Sequence, residues 1–134
     1  MISRVAQGTA AEDFALRYLE TRGLILVTRN FRCRVGELDL ILRDGEHLVF
    51  VEVRSRRHDR FGTPAESVTR RKQQRLLRAA AFYLQRQRLD LPCRFDVVAI
   101  LQTGNEAQVE WIQDAFQPVS YTHLRAHETG RNIV

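Results

Sequence analysis

The chain has 134 residues, which is long enough for one domain with a real core. With 44% hydrophobic and 28% charged residues, the composition gives no reason to expect disorder. The net charge of +5 comes almost entirely from arginine, since Lys72 is the only lysine. Arginine suits bidentate phosphate contacts, so the charge favours nucleic acid as a partner, although a GC-rich genome would produce the same arginine bias.

The sequence gives no sign of membrane insertion or secretion. No apolar run is long enough to span a membrane, and the N-terminus lacks the apolar stretch of a signal peptide. Cys33 and Cys93 lie far apart and form no CxxC motif. A disulfide between them stays open, but two buried thiols in a reducing compartment are favoured. We therefore expect a cytoplasmic protein.

A first helix is predicted from Gly8 to Arg22, after a loose lead-in over residues 1–7. Thr9 is the expected N-cap, with Glu12 placed as in a capping box, and Gly23 ends the helix at the C′ position. The apolar residues of this segment follow helical spacing: Ala11, Phe14, Ala15, Tyr18 and Leu19.

Three strands are expected next, as an antiparallel meander packed against the first helix. The first is Leu24 to Cys33, and the other two form a hairpin within Gly36 to Arg54. We take Asp44 and Gly45 as the two residues of the hairpin loop, because an Asp-Gly pair between apolar runs is a strong turn signal.

This turn sets a register and two faces for the hairpin. It opposes Leu40 to Val49 and Glu37 to Glu52. One face is an apolar core of Leu38, Leu40, Leu42, Val49, Val51 and Val53. The other face is apolar near the turn and carries Glu37, Asp39, Glu52 and Arg54 at its open end. Three clustered acids on a half-apolar face predict a site for a hard divalent cation, and a solvated face with scattered charge is the alternative.

Basic residues follow the hairpin along the chain. A loop is predicted over Ser55 to Ser67, bordering the acidic cluster, and a second helix over Thr69 to Arg88. The helix has a predicted buried stripe and a start that is rich in cations and unpaired N–H donors, which suits phosphate binding. The stripe is Leu76, Leu77, Ala80, Ala81 and Leu84. The residues we assign to nucleic-acid binding are Arg56, Arg57, Arg60, Arg70, Arg71, Lys72 and Arg75.

The last predicted elements are a central strand from Arg94 to Leu101, parallel to an earlier strand, and a short edge strand from Val109 to Ile112. The segment Val119 to Thr129 resembles the translation of an adapter used for sequencing libraries. We therefore expect a single domain over residues 1–118 and a non-native or disordered tail over residues 119–134.

Together the residues indicate metal-dependent phosphodiester hydrolysis. An acid on the first helix (Glu12), an acid on the second strand (Asp39) and an E-x-R motif on the third (Glu52, Arg54) precede a basic flank. Carboxylates that hold a divalent cation can activate water and neutralise charge on a phosphate. Arg54 would point into the same space and stabilise developing charge.

Four segments resemble the YraN (UPF0102) family: GELDLI, FVEVR, RKQQRLLRAAAFYL and the segment from Gly8 to Ala15. The resemblance runs from about Gly8 to Gln117. The family is similar to Holliday-junction resolvases and other PD-(D/E)XK nucleases. This implies a restriction-endonuclease-like α/β core, with a mixed sheet flanked by helices in the order α-β-β-β-α-β-β. It also implies DNA cleavage that depends on Mg²⁺ or Mn²⁺.

The resemblance assigns roles residue by residue. Asp39 matches the metal-binding Asp, Glu52 the acid of (D/E)-x-K, and Glu12 the helix-one acid of the resolvase-like branch. These three are the expected metal ligands, and Glu37 and Gln73 are expected to support the site or the substrate. Arg54 takes the lysine position, where it can bind phosphate but cannot act as a base.

Three functions stay open at this point. The first is a metal-dependent endonuclease acting on branched or damaged DNA without sequence preference. The second is a nuclease-like fold that binds nucleic acid without cutting it, and the third is a protein–protein adaptor with merely surface acids. A homodimer is expected only by analogy with junction resolvases.

Overall fold

The computed structural model describes residues 4–57 and 68–117, and it describes the backbone alone of residues 4–9, 56, 57 and 103. Two helices and five strands follow one another in these ranges in the predicted order α-β-β-β-α-β-β. They are α1 (Arg4–Thr21), β1 (Ile25–Cys33), β2 (Gly36–Asp44), β3 (His47–Arg57), α2 (Arg70–Gln87), β4 (Cys93–Thr103) and β5 (Glu106–Ile112). The chain is therefore a mixed α/β protein.

The strands form one mixed sheet in the order β1-β2-β3-β4-β5. Neighbours pair antiparallel except β3 and β4, which are parallel and joined through α2. A parallel pair needs such a crossover, because the chain must return to the same end of the sheet. The predicted meander, the parallel central strand and the edge strand are confirmed.

Both faces of the sheet are covered, which explains why the middle strands are so apolar. On one face, α2 packs on a cluster that includes Leu38, Ile41 and Phe50. On the other face, α1 packs on a cluster that includes Leu40 and Val51. The site described below lies on the α2 face, near the start of β2, where Glu37 and Asp39 are found.

Leu38 is buried as predicted but lies on the other face, because the alternation of β2 breaks at Asp39. Leu38 belongs to the α2 cluster, whereas Leu40 belongs to the α1 cluster. Asn30, which lies between the β1 partners of these two leucines, has a left-handed φ of 54°. Asn tolerates this conformation, and such a residue locally distorts a strand pair.

The predicted hairpin register is wrong by two residues, although the predicted face is right for the other core residues. The loop residues are Gly45 and Glu46, and Asp44 pairs with His47. Gly45 has a φ of +63° at the first loop position, where a type II′ turn takes glycine. Leu40 therefore pairs with Val51 rather than Val49. A shift of two leaves every side chain of β3 on its face, because strand faces alternate with period 2.

The helix α1 begins earlier than predicted. It starts at Arg4, so Thr9 lies inside the helix and is not its N-cap, and residues 4–7 are not a lead-in. The predicted end is confirmed: Gly23 has a φ of 95°, and the N–H of Leu24 donates to the carbonyl of Leu19 at 3.2 Å. This is the hydrogen bond of a Schellman motif.

The helix α2 begins as predicted, with Thr69 as N-cap. The Thr69 side chain accepts a hydrogen bond from the backbone N–H of Lys72, so one of the predicted unpaired donors is satisfied. The buried stripe is rotated from the prediction. Its fully buried members are Leu76, Ala79, Ala80 and Tyr83, whereas Leu77, Ala81 and Leu84 are half-buried.

The loop predicted from Ser55 begins later, because β3 continues to Arg57 and pairs there with β4. The rest of that loop, with Arg60, lies outside the described residues, as does the predicted tail over residues 119–134. The two cysteines form no disulfide with each other, and each is half-buried rather than fully buried. Among the described residues, neither helix is long and apolar enough to cross a membrane.

A buried charged network connects β4 with β5 and with the hairpin loop. Asp96 is fully buried and accepts hydrogen bonds from the Arg94 guanidinium, the Trp111 indole and the Asp114 backbone N–H. Arg94 also binds Asp44 at 2.9 Å, which ties the hairpin loop to β4. Buried carboxylates are tolerated when they are paired in this way.

We predict that Asp96→Ala lowers the free energy of unfolding by about 3 kcal/mol, because the substitution leaves buried donors and a cation without their acceptor. Asp44→Ala is the matched control. Asp44 is the outer partner of Arg94 and its side chain is 40% exposed, so its loss should cost less than about 1 kcal/mol. Urea denaturation measures both. Equal losses for the two variants would contradict the assignment of Asp96 as the centre of this network.

Candidate active site

An open cavity of about 510 Å³ lies between the β1–β2 turn, the open end of the hairpin and the first turns of α2. Its lining brings together five residues that the sequence assigned to the site: Glu37, Asp39, Glu52, Lys72 and Arg75. Acidic groups come from the sheet and basic groups from the helix. The cavity is therefore polar and presents both signs of charge.

Asp39 and Glu52 form the centre of this cavity. Glu52 is only 6% exposed, and its side chain is hydrogen-bonded to that of Asp39. The other contact of Asp39 is with the sheet, since its Oδ2 accepts the backbone N–H of Val53 at 2.9 Å. A buried acid and a half-buried acid thus lie side by side, at the point where the alternation of β2 breaks.

Burial raises the pKa of Asp39 from 3.8 to about 7, and the negative charge of Glu52 is the second cause. The charge of Glu12 and the hydrogen bond with Glu52 raise the pKa further, whereas the Val53 N–H lowers it. Without a cation, Asp39 is therefore about half protonated near pH 7, where an ordinary aspartate is ionised. Two carboxylates so close cannot both ionise freely.

Two cations neutralise Glu52. The Lys72 ammonium lies 3.2 Å from Oε2, and an Arg54 guanidinium nitrogen lies 3.7 Å from the same oxygen. Arg54 is thus beside Glu52, as the E-x-R motif predicts, but it is not among the residues that line the cavity. The contact from Lys72 was not predicted: the sequence placed Lys72 on a phosphate-binding helix face. One feature of the sequence sets Lys72 apart: it is the only lysine, and all the other Lys and Arg positions are arginine.

Glu12 lies near these acids but is held by another residue. Its carboxylate is 3.7 Å from Arg29, which also binds Asp13 at 2.7 Å. Burial raises the pKa of Glu12, Arg29 opposes that shift and Glu37 adds to it. Glu12 does not line the cavity, although its charge acts on Asp39.

The donor set suits a hard divalent cation in part. Asp39 and Glu52 supply carboxylate oxygens, and their mutual repulsion is what a cation would relieve. Within residues 4–57 and 68–117, however, no three His, Cys, Asp or Glu side chains lie close enough to hold one ion. The three-carboxylate site with Glu12 therefore stays a prediction.

The two supporting residues lie in different places. Glu37 is at the cavity mouth and pairs with Arg32 at 3.2 Å. Gln73 does not line the cavity: its side-chain amide donates to the carbonyl of Val68 at 2.9 Å and so secures the start of α2.

Among the predicted nucleic-acid-binding residues, Arg75 lines the cavity, and Arg70 and Arg71 are exposed at the start of α2. The backbone of β3 carries Arg56 and Arg57 beyond the site, and Arg60 lies outside the described residues. Sequence reasoning missed two arginines of the cavity, Arg32 and Arg34. The alternating basic residues of the RCR segment were the available signal.

The fold and the cavity define a mixed α/β protein in which a pair of acids, one buried and one half-buried, faces a pocket rimmed by cations. A model of the family described as uncharacterised protein family UPF0102 matches residues 11–100, and the chain belongs to this family. The UPF0102 protein of Hahella chejuensis is 50% identical over 117 residues, which cover 87% of this chain and 94% of the relative. That of Ralstonia pickettii is 54% identical over 116 residues, covering 83% and 90%.

We predict that Asp39→Asn stabilises the protein at alkaline pH in the presence of EDTA. A raised pKa means that the contribution of Asp39 to stability is fully present below its ordinary pKa and is lost as pH rises through about 7. Asparagine mimics the protonated acid, so it can still accept the Val53 N–H and donate to Glu52. We expect a gain of about 2 kcal/mol near pH 8.5 that vanishes near pH 4, measured by urea denaturation. An equal difference at both pH values would contradict the raised pKa.

Gly36 lets the sheet approach α2 beside the cavity. A Cβ at this position would lie 3.2 Å from the Arg75 carbonyl oxygen, and helix backbone cannot swing aside as a long side chain can. We therefore expect Gly36→Ala to push α2 outward and to cost about 1–2 kcal/mol. Amide NMR spectra should shift over residues 72–76.

Gly45→Ala is the control for this prediction. It is strained by its φ of +63° rather than by contacts, because no atom lies within 4 Å of a Cβ there. Its spectral changes should stay near the hairpin loop. Changes over residues 72–76 of the same size in both variants would contradict the packing role of Gly36.

Proposed function

We propose that this protein is a metal-dependent endonuclease that cleaves DNA. The observation that carries the proposal is the Asp39–Glu52 pair: Glu52 is buried, Asp39 is half-buried, and the two repel when both are ionised, inside a cavity rimmed by cations. The cavity leaves both carboxylates accessible from solvent. A pair that binds a cation and a phosphodiester needs that access.

The basic residues support a nucleic-acid substrate. Arg32, Arg34 and Arg75 line the cavity around the acid pair, and Arg70 and Arg71 extend positive charge along α2. Such contacts position a sugar–phosphate backbone without reading its bases. This favours recognition of DNA by structure, as at branches or damage, rather than by sequence.

The proposed reaction is hydrolysis of a phosphodiester bond: water attacks phosphorus and the bond to one ester oxygen breaks. Asp39 and Glu52 would hold Mg²⁺ or Mn²⁺, which when bound supplies charge neutralisation and lowers the pKa of water. Arg54 stays protonated, so its task is to stabilise negative charge on the phosphate rather than to accept a proton.

A second candidate is a module that binds nucleic acid without cutting it. It is favoured by the neutralisation of the acids within the protein itself: Glu52 pairs with Lys72 and Arg54, and the pKa of Asp39 is raised to about 7. A homodimer and a cytoplasmic location remain predictions under both candidates.

The test is cleavage of a labelled panel of four-way junction, flap and linear DNA with Mg²⁺, Mn²⁺ or EDTA. We expect metal-dependent products, reduced about 100-fold or more by Asp39→Asn and by Glu52→Gln, because each removes a proposed cation ligand. Asp90→Asn, an exposed acid that does not line the cavity, is the matched control.

Products that persist in EDTA, or equal rates for Asp39→Asn and Asp90→Asn, would contradict the assignment. DNA binding without cleavage of any substrate would favour the binding module. Absence of both binding and cleavage would remove both candidates and leave the protein–protein adaptor.

A further inference from the structure

The only lysine of the chain lies at the proposed site. Lys72 is in the first turn of α2, and its ammonium is 3.2 Å from Oε2 of the buried Glu52. All the other basic residues counted among the 21 Lys and Arg are arginines. An ammonium is a compact point charge with three donors, whereas a guanidinium is a wide planar fork.

We propose that Lys72 binds the phosphodiester of the nucleic acid while it remains on Glu52, and so joins the acid pair to the substrate. This inference rests on the proposed function, since it names a substrate-contacting residue of the same cavity. The sequence already placed Lys72 among the phosphate-binding residues of α2; the contact with Glu52 adds that it acts at the acid pair itself, beside Arg54.

The exposure of the partners supports a bridging role. The Lys72 side chain is 40% exposed and lines the cavity, whereas Glu52 is 6% exposed. Among the described residues, Glu52 is the acidic partner of the ammonium. An ammonium has three donors, so this contact leaves two that could bind an oxygen in the cavity. Arg54 is less suited to this position, because it is less exposed, at 28%, and lies farther from Oε2, at 3.7 Å.

The backbone at Lys72 is anchored in the first turn of α2, and α2 packs closely on the sheet beside the cavity, so the lysine begins from a fixed position at the cavity. The Lys72 N–H donates to the Thr69 side chain at 3.2 Å, which secures the first turn. One turn later, the close approach of Gly36 to the Arg75 carbonyl sets the distance between α2 and β2. Such preorganisation is what a substrate-binding charge requires.

The experiment measures binding of a short fluorescein-labelled oligothymidylate by anisotropy, in EDTA, over a range of salt concentrations. The variants are Lys72→Met and Lys72→Arg. The matched control is Arg86→Met, which removes one exposed positive charge from the far end of the same helix. Thermal melting of each variant reports on its fold.

We expect Lys72→Met to weaken binding about fivefold at low salt and to reduce the slope of log K against log salt by about 0.7, the value for one phosphate contact on a single strand. Lys72→Arg should restore the slope, because it keeps the charge. Arg86→Met should stay within about twofold of the wild type, because it lies outside the cavity.

An effect of Arg86→Met equal to that of Lys72→Met would overturn the proposal, because the loss would then reflect net charge. An unchanged slope in Lys72→Met, with a lower melting temperature, would also overturn it and leave Lys72 as a structural tether of Glu52. Should Lys72→Met fail to fold, a slope in Lys72→Arg below that of the wild type would overturn it. A protein that gives the expected slopes but cleaves nothing would lose the nuclease assignment and keep this one.

Discussion

The central constraint in this structure is the repulsion between two ionised carboxylates that lie side by side at the bottom of one cavity. Asp39 and Glu52 are brought together by neighbouring strands, and burial with mutual repulsion raises the pKa of Asp39 to about 7. The neighbouring groups reduce that repulsion. Lys72 and Arg54 approach Glu52, and the backbone N–H of Val53 binds Asp39. A divalent cation would reduce the repulsion further, since it supplies two positive charges between the carboxylate oxygens.

The fold places this pair at a distortion rather than in a regular strand. The faces of β2 are exchanged at Asp39, so Leu38 packs under α2 while Leu40 packs under α1. Both faces of the sheet are covered, and both leucines stay buried. The exchange thereby places the Asp39 carboxylate outside the regular strand pairing without exposing the core residues beside it.

Much of this could be predicted from local patterns. The element order, the parallel central strand and the gathering of Asp39, Glu52 and Arg54 follow from alternation and turn signals, which act over a few residues. The predicted faces of β3 are right although the predicted register is wrong, because the error is two residues and side-chain direction repeats every two residues. A one-residue error would have moved Glu52 away from the site.

The errors lie where distant parts of the chain decide the outcome. The exchange of faces at Leu38 lies opposite Asn30 of the neighbouring strand, whose left-handed conformation has no signal within β2. The contact of Lys72 with Glu52 depends on how closely α2 approaches the sheet at Gly36. Helical periodicity finds a buried stripe but not the rotation of the helix about its axis, which is why Ala79 and Tyr83 were missed.

The most direct measurement of the central claim is anomalous diffraction from crystals of the protein soaked in Mn²⁺. The account predicts one anomalous peak between Asp39 and Glu52, roughly 2.0–2.6 Å from an oxygen of each, the range for oxygen ligands of divalent cations. It also predicts that the two carboxylates turn towards the peak. A structure with no peak there, and with the Lys72 ammonium still on Glu52 at high Mn²⁺ concentration, would contradict it.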